Sequence, residues 1–407
     1  MRPPERETMK RHARAAAAAA ALASFSLLAT ACASPGGGEA AGAGSGTGSA
    51  SPKGRVAVAY AGGIAVLDPK TLEPLGEVAT EEFTRLNAWG DGRTIAVTTS
   101  AGFQLLDTAA PELTGLVFEA GAAGHVVRHG GKTVLFDDGT GTTTIADTDA
   151  FSAGYDALPE TAVYTAEAAH HGVSIVLEDG TLLTTVGDEN ARSGAAALHA
   201  HDDHWHEEAV NADCPGIHGE GTAAGETVVF GCEDGALLYA DGEFTKLTAP
   251  DAYGRMGNAF VSEGSPIVVG DYKDDPDAEG YLLNAVTLID TEAQSFEVVR
   301  LPEEVRYTFR DIARGPGDLA YILSTDGRIH TLDPETGELV DATEVIAPWE
   351  GPADWQDPHP AITVNGDIAY VTEPAAKAVH AVDLTTGETV ATAELAHAPN
   401  EIAVALG

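Results

Sequence analysis

Along most of the chain, short apolar runs alternate with turn residues, and few stretches sustain a helical period. The runs include "TIAVTTSAGFQLLD", "KTVLFDDGTGTTTIAD", "SIVLEDGTLLTTVGD", "TVVFGCEDGALLYADG", "LAYILSTDGRIHTLD" and "IAYVTEPAAKAVHAVD". Many are split by Asp-Gly or a similar dipeptide, which predicts strand pairs closed by tight turns. An aspartate recurs where a third run of each unit should end: Asp68, Asp107, Asp147, Asp188, Asp241, Asp290, Asp333 and Asp383. The intervals are 39, 40, 41, 53, 49, 43 and 50 residues. Units of this length with three or four strands predict the blades of a β-propeller. Eight marks predict eight blades, with seven possible because the register weakens around Asp188 and Asp241. The terminal "NEIAVALG" is a lone strand that would complete the blade begun by "GRVAVAYAGGIAVLD", closing the ring and hiding its edges. A β-sandwich is the competing all-β architecture, and it leaves the period unexplained.

The N-terminal segment follows a different pattern. "MKRHARAAAAAAALASFSLLATAC" has a basic start, an apolar run and small residues ending at Cys32, the layout of a secretory signal peptide initiated at Met9. Residues 1–31 are therefore expected to be cleaved, and "ATAC" resembles a lipobox with Cys32 as the lipidated residue. Ala29 stands where leucine is usual, and an ordinary secreted protein would leave Cys32 incidental. Residues 32–53 continue as a Gly/Ser/Ala tether, and 54–407 form the propeller. The expected location is outside the membrane, at the cell surface or in the periplasm, held by a lipid anchor.

Charge and cysteine content narrow the class. A formal net charge of −41 argues against nucleic acid as a partner. Outside Cys32 only Cys214 and Cys232 remain, and in an exported protein they are expected to form one disulfide. A monomer is expected.

Histidine is distributed unevenly. In a propeller, residues just ahead of each blade's innermost strand converge on one mouth. Those positions hold His125, His170 and His171, His218 with Glu220, His359, and His397. Imidazoles with a carboxylate form a ligand set for zinc, and equally for copper, nickel or cobalt. His125, His170, His218 and Glu220 are the first expected ligands. His171 and His359 follow, either as ligands or as groups orienting them. Any one of these could instead be bonded to a neighbouring loop, and His129, His330 and His380 read as structural or solvated.

A second concentration lies in "HAHDDHWHEE", with His199 and His201, then His204 and His206, two apart. This is expected to be a loop that captures metal weakly and feeds the mouth, unless it is simply a solvated polar segment. Catalytic signatures are absent: no G-x-S-x-G, H-E-x-x-H or P-loop occurs. An open zinc site can still hydrolyse, so a metal-dependent propeller hydrolase or lactonase stands as an alternative. A non-catalytic binding module with incidental histidines is another.

The stretches "GHVVRHGGKTVLFDDGTG", "AAHHGVSIVLEDG", "DCPGIHGEGTAAGETVVFGCEDGALLY" and "PDAYGRMGNAFVSEGSPIVVGDYKDDP" together resemble the AztD family of extracytoplasmic zinc metallochaperones. The resemblance covers most of the chain after the tether, and Cys214 to Tyr239 is its most specific part. It implies a non-enzymatic propeller that holds Zn2+ and passes it to the solute-binding protein of a zinc ABC importer. It also implies a mobile His/Asp-rich segment near the N-terminus. The tether here has none, and "HAHDDHWHEE" would be its counterpart.

Overall fold

The computed structural model describes residues 54–202, 204–278 and 280–407. The expected signal peptide, Cys32 and the tether fall outside these residues. Eight sheets of four principal strands follow one another along the chain. They form the blades of an eight-bladed propeller, which decides the count in favour of eight. Blade 1 combines Val56–Tyr60, Gly63–Leu67 and Pro74–Ala79 with Glu401–Val404 from the far end of the chain. Val56 faces Val404 and Ala59 faces Glu401 across this seam, so the C-terminal strand closes the ring as its pattern predicted.

Burial falls from the middle of each blade to its rim. Val228–Cys232 and Ala320–Leu323 are buried throughout, whereas Glu388–Glu394 is mostly exposed. The middle strands read as unbroken apolar runs because neighbouring blades cover both faces. The hydrophobic core is correspondingly divided into clusters at the blade interfaces. Ala57, Val66, Ile95 and Leu106 join blades 1 and 2, and Tyr321, Ile329, Ala369 and Val371 join blades 7 and 8. The aspartate period has a local cause. Oδ1 of Asp68 accepts the N–H groups of Lys70 and Thr71 at 2.9 and 3.0 Å, and Asp290 and Asp383 repeat the arrangement. Asp107, Asp188 and Asp333 also accept a backbone N–H two residues on, so six of the eight marks are Asx turns at the end of a strand.

Asp188 is the exception. It closes the second strand of blade 4, Leu182–Gly187, and the third strand, Arg192–His201, runs on past it. The predicted loop "HAHDDHWHEE" is thus a strand pair, in which Arg192–His201 meets the outermost strand His204–Asn211.

Cys214 and Cys232 form the expected disulfide, spanning 18 residues. Cys214 precedes the turn to His218, and Cys232 ends the second strand of blade 5. The Pro215 carbonyl accepts the Glu233 N–H at 2.8 Å beside the bridge. For a loop of this length the cross-link restricts the unfolded chain by about 3 kcal/mol. Replacing both cysteines with alanine is expected to lower unfolding stability by about that amount in a urea titration.

Candidate metal centre

Three histidines from consecutive blades meet at one mouth of the ring. His125 lies in the innermost strand of blade 3, Ala123–His129. His171 comes just before the innermost strand of blade 4, Ser174–Val176, and His218 begins that of blade 5, His218–Thr222. One nitrogen from each falls within 4.8 Å of the others, and the ring centroids are 5.1 Å apart in all three pairs. Among the described residues this is the group of three or more His, Cys, Asp or Glu that could hold an ion.

Two of the three histidines sit at β-bulges, which re-aim a side chain relative to the regular alternation. The register slips between Ala123 and Val126 around His125, and between His218 and Glu220. Glycine is required at both slips. A Cβ on Gly124 would lie 2.4 Å from Oδ1 of Asp138. Gly219 has φ +60, and a Cβ there would lie 2.4 Å from the Gly257 carbonyl oxygen.

Each ring is fixed through Nδ1. His125 Nδ1 donates to the Gly172 carbonyl at 2.8 Å, and His218 Nδ1 donates to the Gly257 carbonyl at 2.5 Å. His171 Nδ1 donates to Oδ2 of Asp138 at 2.5 Å. Behind His218, Oδ1 of Asp271 accepts the N–H groups of Gly257 and Asn258, which holds the Gly257 peptide in place. A ring that donates from Nδ1 in its neutral form keeps a lone pair on Nε2, the tautomer a metal ligand needs. His171 Nε2 and His218 Nε2 then face each other at 3.1 Å. Two lone pairs at that separation repel unless a cation lies beside them. Tetrahedral zinc, with bonds of about 2.0–2.1 Å, places its nitrogens about 3.3 Å apart. The donor set fits such an ion and leaves one coordination position over.

That position opens to a mouth of about 1000 Å³, lined by His125, His171 and His218 and by Arg85, Phe309 and Trp355. His171 is the exposed member, and His125 and His218 are partly covered. Burial, reinforced by repulsion from His171 and Arg85 against the opposing pull of Asp138 and the Gly172 carbonyl, pushes His125 down to about 4. Burial and its neighbours His125, His171 and Arg255 hold His218 well below the usual imidazole range, despite the Gly257 carbonyl. Protons therefore compete little with metal at these two rings until the medium is strongly acidic. Between pH 7 and 5.5 an ordinary imidazole loses roughly tenfold in neutral form. His125 and His218 are expected to contribute almost none of that loss, which zinc competition titrations at the two pH values would check. A fall in affinity well beyond tenfold would mean that His125 or His218 titrates in the ordinary range. The same shifts lower apo stability as pH drops below about 6.5, where the unfolded chain takes up protons that the folded His125 refuses until about 4.

The remaining sequence candidates lie elsewhere. His170 points away from His171 into the blade, buried, with Nδ1 on the Ala168 carbonyl and Nε2 on Thr185. It does not join the cluster, and its neighbour His171 takes the place expected of it. Glu220 also stays out, because the bulge at Gly219 puts it on the other side of the strand from His218, where burial raises its carboxyl to about 7. His359 lies at the entry to blade 8, buried, with Nδ1 on the Asp357 carbonyl and its ring against Phe309. His397 stacks on Tyr60, and His129, His330 and His380 pair with Glu226, Asp326 and Glu373. Asp138 was not anticipated. It stands in the turn "FDDGTG", which the sequence marks only as a hairpin.

The fold and the site together define an eight-bladed propeller with a tri-histidine centre at one mouth. No protein-family model matches the chain. It is similar to the zinc chaperone AztD of Citrobacter koseri, with 25% identity over 290 residues. The matched stretch is 69% of this chain and 65% of that protein, slightly under two thirds of the relative's length. Two solved structures of Citrobacter koseri AztD, one of them apo, superpose with TM-scores of 0.71 and 0.72 at 22% identity, covering 86% of this chain and 96% of theirs. The dihydro-heme d1 dehydrogenase NirN shares the fold more distantly, at TM-score 0.59 and 13% identity over 88% of this chain and 76% of NirN. The resemblance to AztD read from the sequence is borne out.

Proposed function

We propose that this chain is a zinc metallochaperone rather than an enzyme, and that His125, His171 and His218 hold the ion. The observation that carries the reading is the convergence of one nitrogen from each of three imidazoles, each ring held by a partner on Nδ1, at an open mouth. The similarity to a protein named as a zinc chaperone supports zinc over other imidazole-preferring metals. The partner would be the solute-binding protein of a zinc ABC importer. The setting would be extracytoplasmic, with Cys32 lipidated and residues 33–53 serving as the tether.

Transfer would proceed by ligand exchange. A partner side chain enters at the uncommitted fourth position, and His171, the exposed ligand, is the first to be replaced. His125 and His218, pinned to backbone carbonyls, release last. Direction follows from the partner's greater affinity.

The test is a transfer assay. Zinc-loaded protein is mixed with a candidate solute-binding protein in the presence of a competing chelator. Zinc reaching the partner despite the chelator supports direct delivery. Zinc reaching only the chelator overturns it, and metal-dependent hydrolysis of an ester or lactone by the loaded protein would replace it with the enzymatic alternative.

A further inference from the structure

The innermost strands begin at the mouth, and the residues at their starts divide into two arcs. Blades 3, 4 and 5 bring the histidines. On the other arc, Arg310 stands just before Ile312–Arg314 of blade 7, and Trp355 lies in the loop leading to Ile362–Asn365 of blade 8. Glu401 opens the innermost strand of blade 1, and Arg85 opens that of blade 2, Arg85–Ala88. This second arc is built as one unit. Glu401 pairs with both Arg310 and Arg85. Arg310 Nη2 donates to the Trp355 carbonyl at 3.3 Å, and Asn400 Nδ2 donates to the Gln356 carbonyl at 2.9 Å. The loop that carries Trp355 is thereby fixed against the closing strand.

Arg85 is the uncommitted group of this arc. Its Nε lies 3.0 Å from Oε1 of Glu401, and its two Nη atoms have no partner among the described residues. The side chain is 43% exposed and lines the same mouth as the triad. Aromatic rings cover its flanks. Its Cζ lies 6.0 Å from the Phe309 centroid and 5.9 Å from that of Trp355, and Phe83 packs edge-on against Trp355. The other charges at the mouth are engaged. Arg255 Nη1 donates to the Gly216 carbonyl, and Glu81 accepts the Ser100 N–H. Asp138 accepts from His171 and Gly172, and Asp271 from Gly257 and Asn258. A guanidinium with a free edge, close enough to His125 to oppose its protonation, thus shares a cavity with a site for a dication. Two positive charges in a space partly closed to water repel unless an anion stands between them. A carboxylate suits both, since the guanidinium fork matches its two oxygens and zinc takes carboxylate oxygen at about 2.0–2.2 Å.

We propose that Arg85 and the aromatic wall of Phe83, Phe309 and Trp355 form a carboxylate subsite, which binds the acid group that fills the ion's open coordination position. The carboxylate belongs to a free small acid or to an aspartate or glutamate side chain of an incoming protein. Binding of ion and carboxylate is mutual. The ion draws the carboxylate in, and the carboxylate, by offsetting the charge of Arg85, tightens the ion by the same factor. This coupling rests on the triad being the zinc site, whereas the pocket at Arg85 does not.

The experiment titrates sodium acetate into the whole chain, apo and zinc-loaded, against sodium chloride at equal ionic strength. The indole N–H of Trp355 is followed by NMR. Wild type is expected to show a saturable shift with acetate and none with chloride, reached at lower acetate when zinc is bound. Arg85→Gln should weaken acetate about tenfold or more, the worth of a hydrogen bond to a charged group. That variant also loses the pair with Glu401. Arg85→Lys keeps a charge opposite Glu401 while giving up the fork, and it should weaken acetate as well. Acetate that slows zinc transfer to a candidate solute-binding protein assigns the carboxylate to the partner, and acetate that leaves the rate unchanged assigns it to a free acid. No saturable shift in loaded wild type, or one that both Arg85 variants leave intact, would overturn the proposal. So would equal acetate binding by the apo and loaded chains while zinc binding still needs His218. If zinc binding does not need His218, the triad reading fails instead, and the acetate shift of the apo chain still reports on Arg85.

Discussion

His218→Ala is expected to abolish tight zinc binding at the mouth. Removing a group that only orients a metal ligand costs about 10–100-fold in affinity, so losing a ligand outright should cost more than about 100-fold. Competition against a chelator of known affinity would measure it. Asp138→Asn provides the contrast. It keeps the ring of His171 hydrogen-bonded but removes the carboxylate charge, and it should fall within the 10–100-fold range. If His218→Ala bound zinc as wild type does, the triad would not be the site.

The second large effect is expected at the seam of the ring. Glu401 stands on the closing strand and pairs with Arg310 at 2.8 Å, where both side chains are less than a tenth exposed. It also pairs with the more exposed Arg85 at 3.0 Å. Arg310 continues the join through Nη1, which donates to the backbone and side-chain oxygens of Asn400. Removing one member of a buried pair strands the other charge, at a cost of about 3–5 kcal/mol. Glu401→Ala should therefore lose about 3 kcal/mol of unfolding stability, at the lower end because Arg310 keeps its bonds to Asn400. Urea unfolding of the variant would show it, and Arg310→Met combined with Glu401→Ala should recover part of the loss. A single variant as stable as wild type would mean that strand pairing alone carries the closure.

The blades were legible because the physics that ends each strand is local. An aspartate that caps its own turn leaves the same mark in sequence and structure, and eight marks gave eight blades. The mark failed once, at Asp188, where an equally good Asx turn closes the second strand of blade 4 instead of the third. Nothing in one residue says which strand of a blade it follows.

The site was legible to the level of the blade but not of the side chain. His125 and His218 were expected ligands and are in the cluster. Between His170 and His171 the sequence offers no choice, since both precede the same strand and the backbone decides which ring faces the mouth. Glu220 misled for a definite reason. Two residues from His218 in a regular strand it would share a face, and only the slip at Gly219 separates them. Asp138 was invisible because its partner is 33 positions away.

The histidines come from three separate wedges of the ring, and each wedge touches its neighbours mainly through side-chain packing. A bound ion therefore acts as a cross-link between blades 3, 4 and 5 that only the folded chain can form. Such a ligand stabilises the fold by RT ln(1 + [L]/Kd), so each tenfold of free zinc above Kd adds about 1.4 kcal/mol. On the proposed reading, whether an ion is bound would thus be readable in the thermal stability of the chain. A molecule with the ion in place would resist unfolding and proteolysis, and one without it would be the softer of the two.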